Sequence, residues 1–110
     1  MHAEIVAIGT ELTSGAKLDT NSQWLSLELA EVGISVQYHL TVADDLEGMI
    51  AVLRSAINRS NIVFITSIAD ADVEECELYL RQYYRGVGAT TTGVASTDAT
   101  WFAEIDINTK

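Results

Sequence analysis

The 110-residue chain has no proline, one cysteine and only six lysines and arginines. Average usage of about 5% would give roughly five or six prolines, so their absence points to truncation, recombination or design. The single thiol, Cys76, excludes an intrachain disulfide, and one thiol makes no zinc site. Its neighbours Glu75 and Glu77 oppose thiolate formation, so Cys76 reads as a structural residue on the apolar side of a helix. Sixteen acids against six bases leave a net charge of −10, divided evenly about residue 66. Such a surface repels phosphate backbones and anionic lipid, which argues against nucleic-acid and membrane partners. No apolar run approaches the ~20 residues of a membrane span and no basic-then-apolar leader is present, so a soluble, reducing, cytoplasmic setting is expected.

What is present reads as one α/β domain over residues 1–110, large enough to bury roughly two-thirds of its unfolded surface without staples. Glu4-Ile5-Val6-Ala7-Ile8, ended by Gly9, has the apolar, β-branched character of a buried parallel strand. A polar, glycine-punctuated loop runs to Thr20. Asn21 then opens a helix to about Val32, with Trp24, Leu25, Leu29 and Val32 inward and Gly33 beyond its end. Residues 34–40 alternate with period two, as a strand with one solvated face does. Asp44 with Glu47 has capping-box spacing, and Leu46, Met49, Ile50, Leu53 and Ile57 form the clearest amphipathic stripe in the chain. Asn61 to Thr66 supplies a third strand, and βαβαβ order requires right-handed crossovers and a parallel sheet with helices on both faces. Asp72 and Glu75 then cap a third helix ending near Gly86. Thr90-Thr91-Thr92 and Trp101 to Ile107 form a C-terminal β-hairpin, placed beside the sheet or at its edge. The expected fold is a three-layer α/β sheet in the order β-α-β-α-β-α-β-β, with Trp24 and Trp101 as core or near-core anchors.

The loop after the first strand carries the functional signal, because the carboxyl ends of parallel strands are where α/β sheets hold phosphates and nucleotides. The run Glu4 to Leu12 with its Gly9-Thr10-Glu11, then Gly15, then Asp19-Thr20-Asn21-Ser22-Gln23-Trp24-Leu25, resembles the amino-terminal domain of the CinA family. That is the competence/damage-inducible group of molybdopterin-binding-like domains. Leu29 to Ile34, Thr41-Val42 with Asp44-Asp45, and Ile62 to Thr66 continue the likeness, which covers residues 1–66. The resemblance implies a fold related to molybdenum-cofactor biosynthesis proteins, binding of a pterin or nucleotide, and metal-dependent pyrophosphatase action on ADP-ribose. It further implies that Thr10, Glu11, Asp19 and Asn21 line the pocket. Glu11 and Asp19 would hold a divalent cation, Mg²⁺ or Co²⁺, and the helix start near Asn21 would receive an oxyanion.

The family pattern calls for a Gly-Gly-x-Gly-Pro-Thr loop after the third strand, whose glycines let backbone N–H groups approach phosphate. This chain has Ser67-Ile68-Ala69-Asp70-Ala71-Asp72 there, and residues 67–110 resemble no recognised family. Two functional expectations follow. The favoured one is an engineered or recombined chimera, CinA-like over 1–66 with an unrelated helix-plus-hairpin over 67–110, that folds without catalysing anything or carrying a cofactor. The alternative is a truncated CinA-type domain that binds a nucleotide diphosphate or pterin with a divalent cation and hydrolyses ADP-ribose. Other signals have plainer readings. Asp70, Asp72, Glu74 and Glu75 suit a helical first turn, and His2 and His39 read as surface residues. Tyr79, Tyr83 and Tyr84 with Arg81 and Arg85 suggest a covered sheet edge or a self-association contact.

Overall fold

The computed structural model describes residues 2–67 in full and the strand backbones at 88–93 and 101–106. Its elements run β1 (His2–Ile8), α1 (Thr10–Thr13), α2 (Thr20–Glu31), β2 (Ser35–Val42), α3 (Leu46–Arg59), β3 (Ile62–Ser67), β4 (Gly88–Gly93) and β5 (Trp101–Asp106). One five-stranded sheet has the order β2-β1-β3-β5-β4. β1 pairs in parallel with β2 on one side and β3 on the other. β5 pairs antiparallel with β3, and β4 antiparallel with β5. The α/β expectation and its three-stranded parallel start therefore hold. The hairpin does extend the sheet, with β5 as an interior strand and β4 at the rim. The expected third helix, with Cys76 and the Tyr79, Tyr83 and Tyr84 cluster, lies outside the described residues, as does the side chain of Trp101.

Alternation along β1 sets the layers. Val6 and Ile8 face one way with Val63 and Ile65 of β3, and Met49, Leu53 and Ala56 of α3 close over them. Ile5 faces the other way and meets Leu25 and Leu29 of α2. The two helices thus cover opposite faces, and β1 is buried along all but its first residue. Each fully buried Ile, Leu or Met contributes about 1.5–3 kcal/mol, so the apolar run of β1 is the main organiser of this half.

Local signals are displaced by one or two residues from the expectation. α2 begins at Thr20 and not Asn21, because the Asp19 carboxylate caps it by accepting from Ser22 N–H at 3.0 Å. α3 is capped by Asp45, which accepts from Gly48 N–H at 2.9 Å, in place of the expected Asp44–Glu47 box. Two inward assignments on α2 are also corrected. Trp24 is 44% exposed and Val32 71% exposed. Leu25 and Leu29, one turn apart, already fill the contact with the sheet, and Val32 lies past the last helical turn as the C-cap.

The apolar start of β1 conceals a carboxylate. Glu4 is fully buried, yet its oxygens accept from Arg59 Nε at 2.5 Å, Arg59 Nη2 at 3.1 Å and Ser60 Oγ at 2.8 Å. The Arg59 guanidinium also lies 4.0 Å over the Tyr38 ring. The hydrogen bond to Glu4 raises the Arg59 pKa further above its ordinary value, partly offset by desolvation. A raised pKa gives stability that is complete below the unfolded value and lost only above the folded one. On the Arg59 side the pair is therefore constant throughout the neutral range. It ties β1 to the end of α3, at the opposite end of the sheet from the loop that follows Ile8. Among the described residues, no helix is long and apolar enough to cross a membrane.

Candidate functional site

At the carboxyl end of β1 the chain passes through Gly9 into the single turn of α1, loops through Gly15 (φ +81°), and enters α2 behind Asp19. Gly9 N–H is held by the Val42 carbonyl at 2.9 Å, and Lys17 N–H by the Glu11 carbonyl at 2.9 Å, so both ends of the loop are anchored. Between this loop, the start of α2 and the end of β3 lies a cleft of about 320 Å³. That is the lower end of the usual range for small-molecule pockets, about 300–1,000 Å³. Ile8, Leu12, Ala16 and Leu18 give it an apolar wall. Glu11, Lys17, Asp19, Thr20, Asn21, Thr66 and Ser67 give it polar groups.

Three of the four candidate residues therefore meet in one place: Glu11, Asp19 and Asn21. Thr10 does not. Its hydroxyl accepts from Asp44 N–H at 3.3 Å, tying the β1–α1 junction to the β2–α3 loop. Asp19 has a structural task as well, since one carboxylate oxygen is the α2 cap. Glu11 folds back over Gly9, where a built Cβ would stand only 2.8 Å from the Glu11 Cδ and collide with its Oε1. A Cβ at position 9 would thus displace the Glu11 carboxylate, while the backbone there is extended (φ 167°) and sets no demand for glycine.

For a cation, Glu11 and Asp19 are the available carboxylates. Among the described residues, no group of three or more His, Cys, Asp or Glu side chains could hold a metal ion. A divalent ion here would draw its remaining ligands from water and from a ligand's own phosphate oxygens, the usual arrangement for Mg²⁺. Sequence reasoning passed over Lys17, Thr66 and Ser67. For Lys17 a signal was present, because it is the first Lys or Arg in the chain and none follows until Arg54. A lone base in a loop suspected of holding an anion is itself informative.

Comparison with known proteins gives a consistent picture. Residues 4–73 match the family model described as "Probable molybdopterin binding domain". A CinA-like protein of Dictyoglomus thermophilum is 48% identical over 66 residues, and a Levilactobacillus brevis protein carrying a competence-damage inducible designation is 47% identical over the same length. Each alignment covers 60% of this chain but 16% of the relative, so the chain spans about a sixth of the length of the curated relatives it matches. Among solved structures, the crystal structure of the protein CinA with unknown function from Thermoplasma acidophilum superposes with a TM-score of 0.62 at 21% identity. That superposition covers 81% of this chain and 54% of the other. At that identity the likeness speaks for the fold alone, and it reaches further along the chain than the sequence matches do.

Proposed function

The chain belongs to the family described as the probable molybdopterin binding domain, and from that premise we propose that its cleft binds a phosphorylated heterocycle of pterin or nucleotide-diphosphate type without turning it over. The observation that carries this reading is the convergence of Glu11, Asp19 and Asn21 on one cleft at the carboxyl ends of β1 and β3, beside the start of α2. The apolar wall of Ile8, Leu12 and Leu18 suits a planar ring, and the polar rim suits its phosphates. Glu11 and the outer oxygen of Asp19 would share a divalent cation with a diphosphate. Catalysis is set aside because positions 67–72 contain no glycine, and carry Asp70 and Asp72 at sequence positions where the family pattern has its glycine loop. The setting we assign is the reducing cytoplasm. The origin of residues 67–110 in recombination is a separate proposal that the cleft does not depend on.

The experiment is a thermal melt with and without ADP-ribose plus Mg²⁺ or Co²⁺, with product release followed in the same samples. Ligand at ~100 times its dissociation constant adds about 2.7 kcal/mol, a shift of several degrees for a domain of this size. The expected result is a shift that disappears in Glu11→Ala and in Asp19→Asn, with no released product. The latter variant keeps a side-chain cap while removing the charge. An unshifted melt in the parent chain would overturn binding, and steady product release would overturn the non-catalytic reading.

A further inference from the structure

Among the described residues the cleft is lined by two carboxylates, Glu11 and Asp19, in a chain of net charge −10, and by one basic side chain, Lys17. Without that lysine an incoming phosphate would meet only like charge, and the cleft would favour neutral or cationic ligands. Among the described residues Lys17 forms no ion pair. Its backbone is fixed, with N–H bonded to the Glu11 carbonyl at 2.9 Å. The exposed four-carbon stem and its three ammonium donors remain free to follow a ligand. The two carboxylates are less adaptable: Asp19 is committed to the α2 cap, and Glu11 lies folded on Gly9.

We infer that Lys17 is the residue that makes the cleft select phosphorylated ligands, its ammonium holding the terminal phosphate of a ligand whose ring lies on the apolar wall. This inference rests on the proposed binding role of the cleft. It assigns to Lys17 what the sequence pattern assigned to the glycines missing after β3. The positive charge comes from a side chain on the first loop, so the cleft needs no backbone N–H groups from the second.

The test compares the parent chain, Lys17→Gln and Lys17→Arg by calorimetry and by amide NMR shifts at residues 9–21. The probes are adenosine, AMP, ADP and inorganic pyrophosphate, all in EDTA so that no metal bridges the anion. Lys17 is exposed, so both variants are expected to fold with unchanged Tm. The expected result is affinity rising from adenosine to ADP in the parent chain. Lys17→Gln should lose about five- to tenfold for ADP and pyrophosphate, the effect of one nearby charge in high dielectric, with adenosine unaffected and Lys17→Arg close to parent. ADP and pyrophosphate binding the parent and Lys17→Gln equally would overturn the role of Lys17 while leaving the cleft reading intact. Pyrophosphate bound through Lys17 with no response to any adenine compound would support the role of Lys17 and overturn the adenine nucleotide as the occupant of the apolar wall. Silence toward all four probes would overturn the role of Lys17, and the melt with ADP-ribose and Mg²⁺ would then decide the cleft reading separately.

Discussion

Glu4 and Glu11 sit on the same strand and the turn that follows it, and their surroundings give them opposite tasks. Glu4 is fully buried and has three hydrogen bonds from Arg59 and Ser60, so its charge is compensated and structural. Glu11 is half-buried at the cleft and rests against Gly9, where its position depends on a missing Cβ. Gly9→Ala tests that dependence. The colliding atoms are the far end of a flexible side chain and the backbone at position 9 is extended. The fold should therefore survive with a loss of less than about 1 kcal/mol while the Glu11 carboxylate is pushed out of place. Any ADP-ribose-induced thermal shift should fall as far in Gly9→Ala as in Glu11→Ala, and the double variant should fall no further. Additive losses would mean that Gly9 acts on the cleft through something other than Glu11.

At the level of elements, α2 shows how much of this structure the sequence announces. The apolar runs of β1 and β3 and the stripe of α3 are legible because burial on both faces, or on one helical face, leaves a periodic imprint. The start of α2 is less so. Asp19, Thr20 and Asn21 are all plausible caps by residue type, and only the path of the loop from Gly15 selects Asp19. Asp44 and Asp45 present the same ambiguity before α3, and there the second of the two caps. The sequence does not mark Trp24 as exposed, because α2 carries apolar residues on several sides, including Leu27 at 64% exposure, so no single face stands out. The burial of Glu4 was invisible for a different reason: its partner lies 55 residues away. The cleft was half legible. Glu11, Asp19 and Asn21 lie on one short loop and the helix start that follows it, but Thr66 and Ser67 reach the cleft only through the β1–β3 pairing, Ile8 opposite Ser67. Cap and cleft share Asp19, and its variants separate the two functions. Asp19→Ala should destabilise the domain by about 1 kcal/mol in urea titrations, while Asp19→Asn should cost only a few tenths. Equal destabilisation by both would mean that the carboxylate charge, and not the cap hydrogen bond, stabilises the start of α2.

For the molecule as a whole, the central question is whether residues 2–67 and the β4–β5 hairpin form one cooperative unit. The seam between them is the β3–β5 ladder, paired from Ile62–Asp106 to Ser67–Trp101 without a break in register. Detaching the hairpin would turn β3 into an open edge. Ile62, Val63, Ile65 and Thr66, all at 5% exposure or below, lie along that edge. Each ladder hydrogen bond is worth about 0.5–1.5 kcal/mol net, and an isolated two-stranded hairpin is marginal in water, so neither part is better off alone. The chain provides its own reporters, one tryptophan on each side of the seam: Trp24 in α2 and Trp101 at the start of β5. Melts of Trp24→Phe and Trp101→Phe, each followed by the remaining tryptophan and by far-ultraviolet circular dichroism, should give coincident transitions within each variant. A Trp101 transition at clearly lower temperature than the dichroism change would show the hairpin leaving first. The seam would then be an attachment between independent parts, and the cleft, whose polar groups Thr66 and Ser67 stand on β3, would have to hold its shape with that strand exposed.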